Sequence, residues 1–308
     1  MSRLLKNCLR LHLGSLIFLL VCGAAFLMGS VYEIGLSAVA DENTGAPFDN
    51  TPYLLAMYLL AASAAFGIGT EFAEGTVRSK LVMGFTKRQI FLAELISTII
   101  EAVIVFGFVT AGVFIMGYKN YLELFSGGIL LRSFGLMLGA FIVTAAVYTT
   151  VCCLIHNRAA AMLLCALICF GMFMLSDETR QSLTQPEYRI VAYGESSDEG
   201  DRIADERKEE NVHYASGAAR RLLTAGYYLA PPSSLYISEK LLDRFEGKFT
   251  VDDLEQYRED FKDSKETWDY DFMCGSRIDL WKYPLWGLGE FAFLTVLGML
   301  IIKKRNIQ

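Results

Sequence analysis

Six stretches of the chain run long and apolar between polar connectors. They cover residues 13–31, 53–69, 90–116, 134–155, 159–175 and 283–302. A bilayer core about 30 Å thick needs about 20 apolar helical residues to cross it, so each stretch predicts a membrane-spanning helix. The third is long enough to tilt or to begin in the cytoplasm. Ala38-Val39-Ala40 resembles a signal-peptidase site. The apolar run before it exceeds a usual signal-peptide core, and cleavage would leave an odd number of spans, so the segment reads as an uncleaved span.

Charge fixes the expected orientation. Arg3, Lys6 and Arg10 precede the first span, and Arg78, Lys80, Lys87 and Arg88 lie between the second and third. His156 and Arg158 sit between the fourth and fifth, and Lys303, Lys304 and Arg305 follow the last. The opposite connectors carry Glu33, Asp41, Glu42 and Asp49, then a long acidic segment. Lys and Arg mark the cytoplasmic side, which predicts a multi-pass protein of the cell membrane with both termini inside. Lys119 and Arg132 are the exceptions.

Composition agrees with the pattern. Of 308 residues, 53% are hydrophobic and only 20% charged, against about 25% charged in soluble domains. A net charge of −6 leaves no basic footprint for nucleic acid. The fold class expected is an all-α polytopic membrane protein: a six-helix bundle with a mainly helical extracellular insert between the fifth and sixth spans. Residues 1–175 hold the first five spans and a cytoplasmic connector at 70–89. Residues 176–280 form an acidic outer subdomain, and 281–308 the last span and a basic tail.

Within the insert, 195–210 is acidic enough to read as a solvated loop or exposed helix. A helix follows from Ala218 to Leu229, stopped by Pro231-Pro232, then an apolar stripe of Leu235, Leu241, Leu242 and Phe245. Thr250 caps a further expected helix. Asp260, Asp263, Asp269 and Asp271 lack the spacing of a calcium loop. Of seven cysteines only Cys274 is expected outside, so no internal disulfide is predicted.

The connector after the second span is the most specific stretch. Phe72, Val77, Leu81 and Met83 give it an apolar side, and Glu71, Glu74, Arg78 and Lys80 a polar one. Gly84 ends a short helix there, and Thr86 with Gln89 form a capping box that starts the third span. A helix carrying both charge signs suits a protein groove, or serves as a simple membrane-surface connector.

Glu71…Glu74-Gly75-Thr76-Val77-Arg78…Leu81…Thr86-Lys87-Arg88, placed between these two spans, resembles the permease subunits of type-2 ATP-binding-cassette exporters. The order of spans and Tyr228-Leu229-Ala230-Pro231-Pro232 before the last one are similar too. The resemblance implies a homodimer or heterodimer with a second permease subunit in the lipid bilayer. Each subunit would rest on a separate ATPase subunit, which binds ATP and Mg, so this chain itself needs no cofactor. It further implies that 70–89 acts as a coupling helix. Glu71, Glu74, Thr76 and Arg78 would make its contacts, Gly75 would allow close backbone approach, and Arg88 would anchor the third span.

The chain has no phosphate loop of the form G-x-x-x-x-G-K-[ST]. Leu124-Phe125-Ser126-Gly127-Gly128 departs from the ATPase signature and falls on the outer side, where it reads as a turn. Three histidines in separate regions disfavour a zinc site built from several of them, and no hydrolase motif occurs. The resemblance implies export of an amphipathic substrate (peptide, lipid-like molecule or drug), and the missing motifs give no expected catalytic or metal residues. The alternatives are a membrane sensor or immunity protein whose acidic outer domain captures a cationic peptide, and an intramembrane enzyme. Glu101 and Glu290 lie inside spans, where an acid lines a cargo path or makes an interhelical hydrogen bond, the second being favoured. Gly135-x-x-x-Gly139 predicts close helix packing within the subunit, and the alanines of the fifth span suggest a face near a dimer axis.

Overall fold

The computed structural model describes residues 2–39, 49–124, 127–155, 157–183, 185, 188–193, 205–212, 214–245 and 282–304. The expected Thr250 helix, the acids between 260 and 271, Cys274 and residues 195–204 of the acidic run lie outside them.

Helix α1 covers Ser2–Leu13 and breaks at Gly14-Ser15 before α2, Leu16–Val39. Then follow α3 (Thr51–Ala73), the seven-residue α4 (Thr76–Val82), α5 (Lys87–Leu124), α6 (Gly127–Leu154) and α7 (Arg158–Leu183). A hairpin pairs β1 (Tyr188–Tyr193) with β2 (Asp205–Glu210) antiparallel, Tyr188 opposite Glu210. Helices α8 (Gly217–Leu229), α9 (Pro231–Phe245) and α10 (Lys282–Lys304) complete the described chain.

Among the described residues six helices are long and apolar enough to cross a membrane: α2, α3, α5, α6, α7 and α10, one for each span read from the sequence. Three boundaries differ. The N-terminal basic segment is its own helix. Glu33 lies inside α2, buried, rather than in a connector. And α7 runs past residue 175 to Leu183, where Asp177 accepts from Arg180 at 2.8 Å one turn along. The end of the acidic run, expected as loop or helix, is strand β2.

Helix α3 runs through the interior of the bundle. Ala56, Ala61, Ala64 and Ala65 are fully buried, and their small side chains let α2, α5, α6 and α7 close around it. Tyr53, Phe106 and Phe141 pack together in the core, with ring centroids 5.7 Å (Tyr53–Phe106) and 5.4 Å (Phe106–Phe141) apart. Close helix approach occurs at Gly29 and Gly112, where a Cβ would strike the facing backbone of α5 and α2. At Gly135 and Gly139 a Cβ would meet nothing within 4 Å, so that motif does not mark the expected tight contact within the chain.

Helices α8 and α9 pack on α6, α7 and α10. Ala230 is extended between them, and Pro231-Pro232 occupy the first turn of α9, where a missing N–H costs nothing. Tyr227 and Tyr228 meet Tyr283, and Ser238 donates to the Ser133 carbonyl at 3.0 Å. At the other end, α1 lies across the start of α5 and the end of α3. Leu4, Cys8, Val77, Ile90 and Ala93 form a small separate core there.

Candidate functional site: a buried polar cluster beneath a short surface helix

Thr86 and Gln89 cap α5 reciprocally as the spacing predicts: the Thr86 amide donates to Gln89 Oε1 at 2.9 Å, and the Gln89 amide to Thr86 Oγ1 at 3.3 Å. This fixes the first turn of α5, two turns before Glu94. Upstream, α4 is set off by Gly75 at φ 70° and followed by Gly84 at φ 92°, left-handed conformations that a side chain would strain.

Between α1, α3, α4 and α5 lies a cluster of ionisable groups from four elements. His12 places Nε2 3.0 Å from Glu94 Oε2 and Nδ1 3.0 Å from Glu101 Oε1. A ring bonded to a carboxylate through both nitrogens is the imidazolium, since a neutral ring has only one N–H. Lys80 Nζ donates to Glu71 Oε2, to Glu94 Oε1 at 3.1 Å and to Cys8 Sγ at 3.2 Å, which uses all three of its protons. Cys8 Sγ in turn donates to Glu94 Oε1 at 3.3 Å. All six residues are at most 3% exposed.

Gly67 makes room for the ring: a Cβ there would lie 2.6 Å from His12 Cε1. Three carboxyls face two bases, so the cluster keeps one negative charge or one extra proton. Glu71 Oε1 and Glu101 Oε2 are buried with no hydrogen-bond partner among the described residues.

The environment moves the groups that lie outside the spans. Burial works against a charged His12, but the hydrogen bonds and charges of Glu101 and Glu94 outweigh it and raise its pKa from 6.5 to about 10. Lys80 is raised as well: burial opposes its charge, and Glu94 and Glu71 overcome that. Burial, then the charges of Glu94 and Glu71, push the Cys8 thiol up.

The expected polar side of the connector is thus split. Glu71 and Lys80, read as part of one charged face, point into the bundle. Glu74, Arg78 and Ser79 remain exposed, Thr76 is half-buried, and Arg88 is exposed on the first turn of α5. Val77 is buried as expected, whereas Met83 is 65% exposed, beside Val82 at 84%. Glu290 lies far from the cluster in sequence and on another helix. It lines an apolar cavity of about 870 Å³ with Arg132, Gly135, Gly139, Tyr228 and Tyr283.

Cys8, His12 and Lys80 escaped the sequence reading as members of a site. The signal was present: Leu4, Cys8 and His12 recur every four residues, one helical face, and Glu94 and Glu101 share a face seven residues apart. A second cavity of about 850 Å³ opens between α1, α3 and α4, lined by Arg3, Arg10, Gly67, Glu71, Glu74 and Lys80.

Comparison with protein-family models, with curated proteins and with solved structures found no match for this chain. The six apolar helices support a membrane protein.

Proposed function

We propose that the chain is the permease subunit of an ATP-binding-cassette exporter, coupled through α4 to a separate ATPase and moving an amphipathic substrate outward. The observation that carries this reading is the exposed surface of α4 and of the residues at its two ends. Between two candidate spans, a seven-residue helix flanked by left-handed glycines exposes Val82 and Met83 next to Glu74, Arg78 and Ser79. An apolar tip with charges of both signs suits a groove in a protein better than a lipid surface, which favours a basic polar face. The resemblance of 71–88 to the exporter permeases supports the same partner.

In this reading Lys80 and Val77 hold the inner side of α4 against α1 and α5. A displacement of α4 by the ATPase is then carried into the bundle through packed side chains and the buried ion pairs. ATP and Mg would be held by that partner, because this sequence has no phosphate loop. Both termini and α4 would face the cytoplasm, as the basic connectors direct.

The test is co-purification. V82D with M83D changes only exposed side chains, so thermal stability stays within about 0.5 kcal/mol of the wild type. The tagged wild-type chain retains an ATPase from its native membrane, and the double variant loses it. Equal retention by both chains would remove α4 as the docking element.

A further inference from the structure

We propose that Cys8, Glu71 and Glu94 form a binding site for a thiophilic divalent cation of the Zn2+ type, with Lys80 as an internal cation that occupies it until displaced. The inference stands independently of the exporter reading, since it uses only the inner side of α4.

The donor atoms of these three residues lie within 4.8 Å of one another, and all three side chains are buried. One thiol and two carboxyls, from three helices, are a donor set that zinc accepts. The position they share is already a cation site: Lys80 Nζ sits 3.2 Å from Cys8 Sγ and 3.1 Å from Glu94 Oε1, and also bonds Glu71. Zinc bonds are shorter, about 2.0–2.3 Å, so the same three groups would draw in around a smaller, doubly charged ion.

A second observation points to an unfilled valence. Glu71 is 1% exposed, yet its Oε1 has no hydrogen-bond partner among the described residues. An ammonium with three protons is exhausted by the contacts it makes, whereas a metal can take both oxygens of a carboxylate. Glu94 is also oriented from behind. His12 Nε2 bonds its Oε2, and His12 Nδ1 bonds Glu101, a carboxylate–histidine chain of the kind that fixes metal ligands.

The cavity of about 850 Å³ between α1, α3 and α4 touches Glu71 and Lys80. It gives the ion an entry path, a water for a fourth position, and room for Lys80 to withdraw. On binding, Cys8 gives up its thiol proton to solvent and ligates as the thiolate, and Lys80 leaves as the ammonium. The inward anchor of α4 is then exchanged for a metal bridge among α1, α3 and α5.

Titration of the full-length protein in detergent with Co2+, whose bonds to sulfur give a charge-transfer absorption, tests this directly. Wild-type protein gains that absorption at one Co2+ per chain, and Zn2+ abolishes it. C8S loses it, and H12Q weakens binding about 10–100-fold by freeing Glu94. K80M removes the competitor. If Lys80 fills the position in about nine molecules of ten, K80M binds roughly tenfold tighter than wild type. Absorption that persists in C8S, no sulfur absorption in wild type, or K80M binding no tighter than wild type would each overturn the proposal. If K80M does not fold, the wild-type and C8S pair decides alone.

Discussion

Glu101 is 1% exposed and bonded to His12 at 3.0 Å, whereas Glu290, half-buried, lines an apolar cavity with no hydrogen bond among the described residues. Both are acids inside apolar helices, and an acid there is costly unless paired or wetted. The difference lies in what each helix can borrow. Helix α5 is crossed by α1, a polar helix that lies outside the spans and can deliver a base. Helix α10 meets α6, α5 and α8, and the cavity beside Glu290 is lined mostly by apolar and aromatic side chains, with Arg132 of α6 on its wall but making no hydrogen bond to Glu290 among the described residues. Position within a span therefore sets the cost of an acid, and a neighbour from outside the spans decides how that cost is offset.

The largest effect expected from breaking this contrast is at His12. H12A leaves Glu101 buried without its base and Glu94 with Lys80 alone as a base, a loss of about 3–5 kcal/mol. Thermal unfolding in detergent should show a large drop in midpoint, and an unchanged midpoint would mean that the ion pairs do not hold α1.

Proton release gives the same result more gradually. The folded pKa of His12 is raised, so its stabilisation is complete below about 6.5 and is lost as pH rises toward about 10. The raised Cys8 thiol acts in the same direction at the alkaline end. The unfolding midpoint of the wild type should fall across that window, and H12Q should fall less steeply.

Exchanging each acid for its amide sharpens the comparison at the smallest scale. E101Q keeps an acceptor for His12 Nδ1 but loses the charge assistance, costing about 1 kcal/mol. E290Q breaks no hydrogen bond among the described residues, and its effect stays within about 0.5 kcal/mol. Equal midpoints for the two amide variants would erase the distinction drawn between the acids.

The spans were legible because crossing a membrane is a matter of length and apolarity, which one sequence states openly. The Thr86–Gln89 cap was legible for a similar reason, as both partners lie within one turn. Lys80 was not. On its own helix it falls among charges and reads as solvated, and only the arrival of Cys8 and Glu94, 72 and 14 residues away, gives it a buried place. Helix α1 was read only as positive charge, because Arg3, Lys6 and Arg10 hide a stripe of Leu4, Cys8 and His12. The glycines make the same point. Gly135 and Gly139 have the familiar spacing and touch nothing closely, while Gly29 and Gly112, on different helices, are the pair that lets backbones meet. Spacing within a helix reports a smooth face, and the fold decides whether another helix uses it.

His12 is synthesised 82 residues before Glu94 and 89 before Glu101. A ribosome therefore delivers α1 long before anything exists for it to grip. Until the third hydrophobic segment has entered the bilayer, the first helix can only wait at the water boundary, held by its arginines and lysine. Closure of the N-terminal end is thus a late event in biogenesis, and a nascent chain halted before residue 94 would still have its first twelve residues open to soluble proteases.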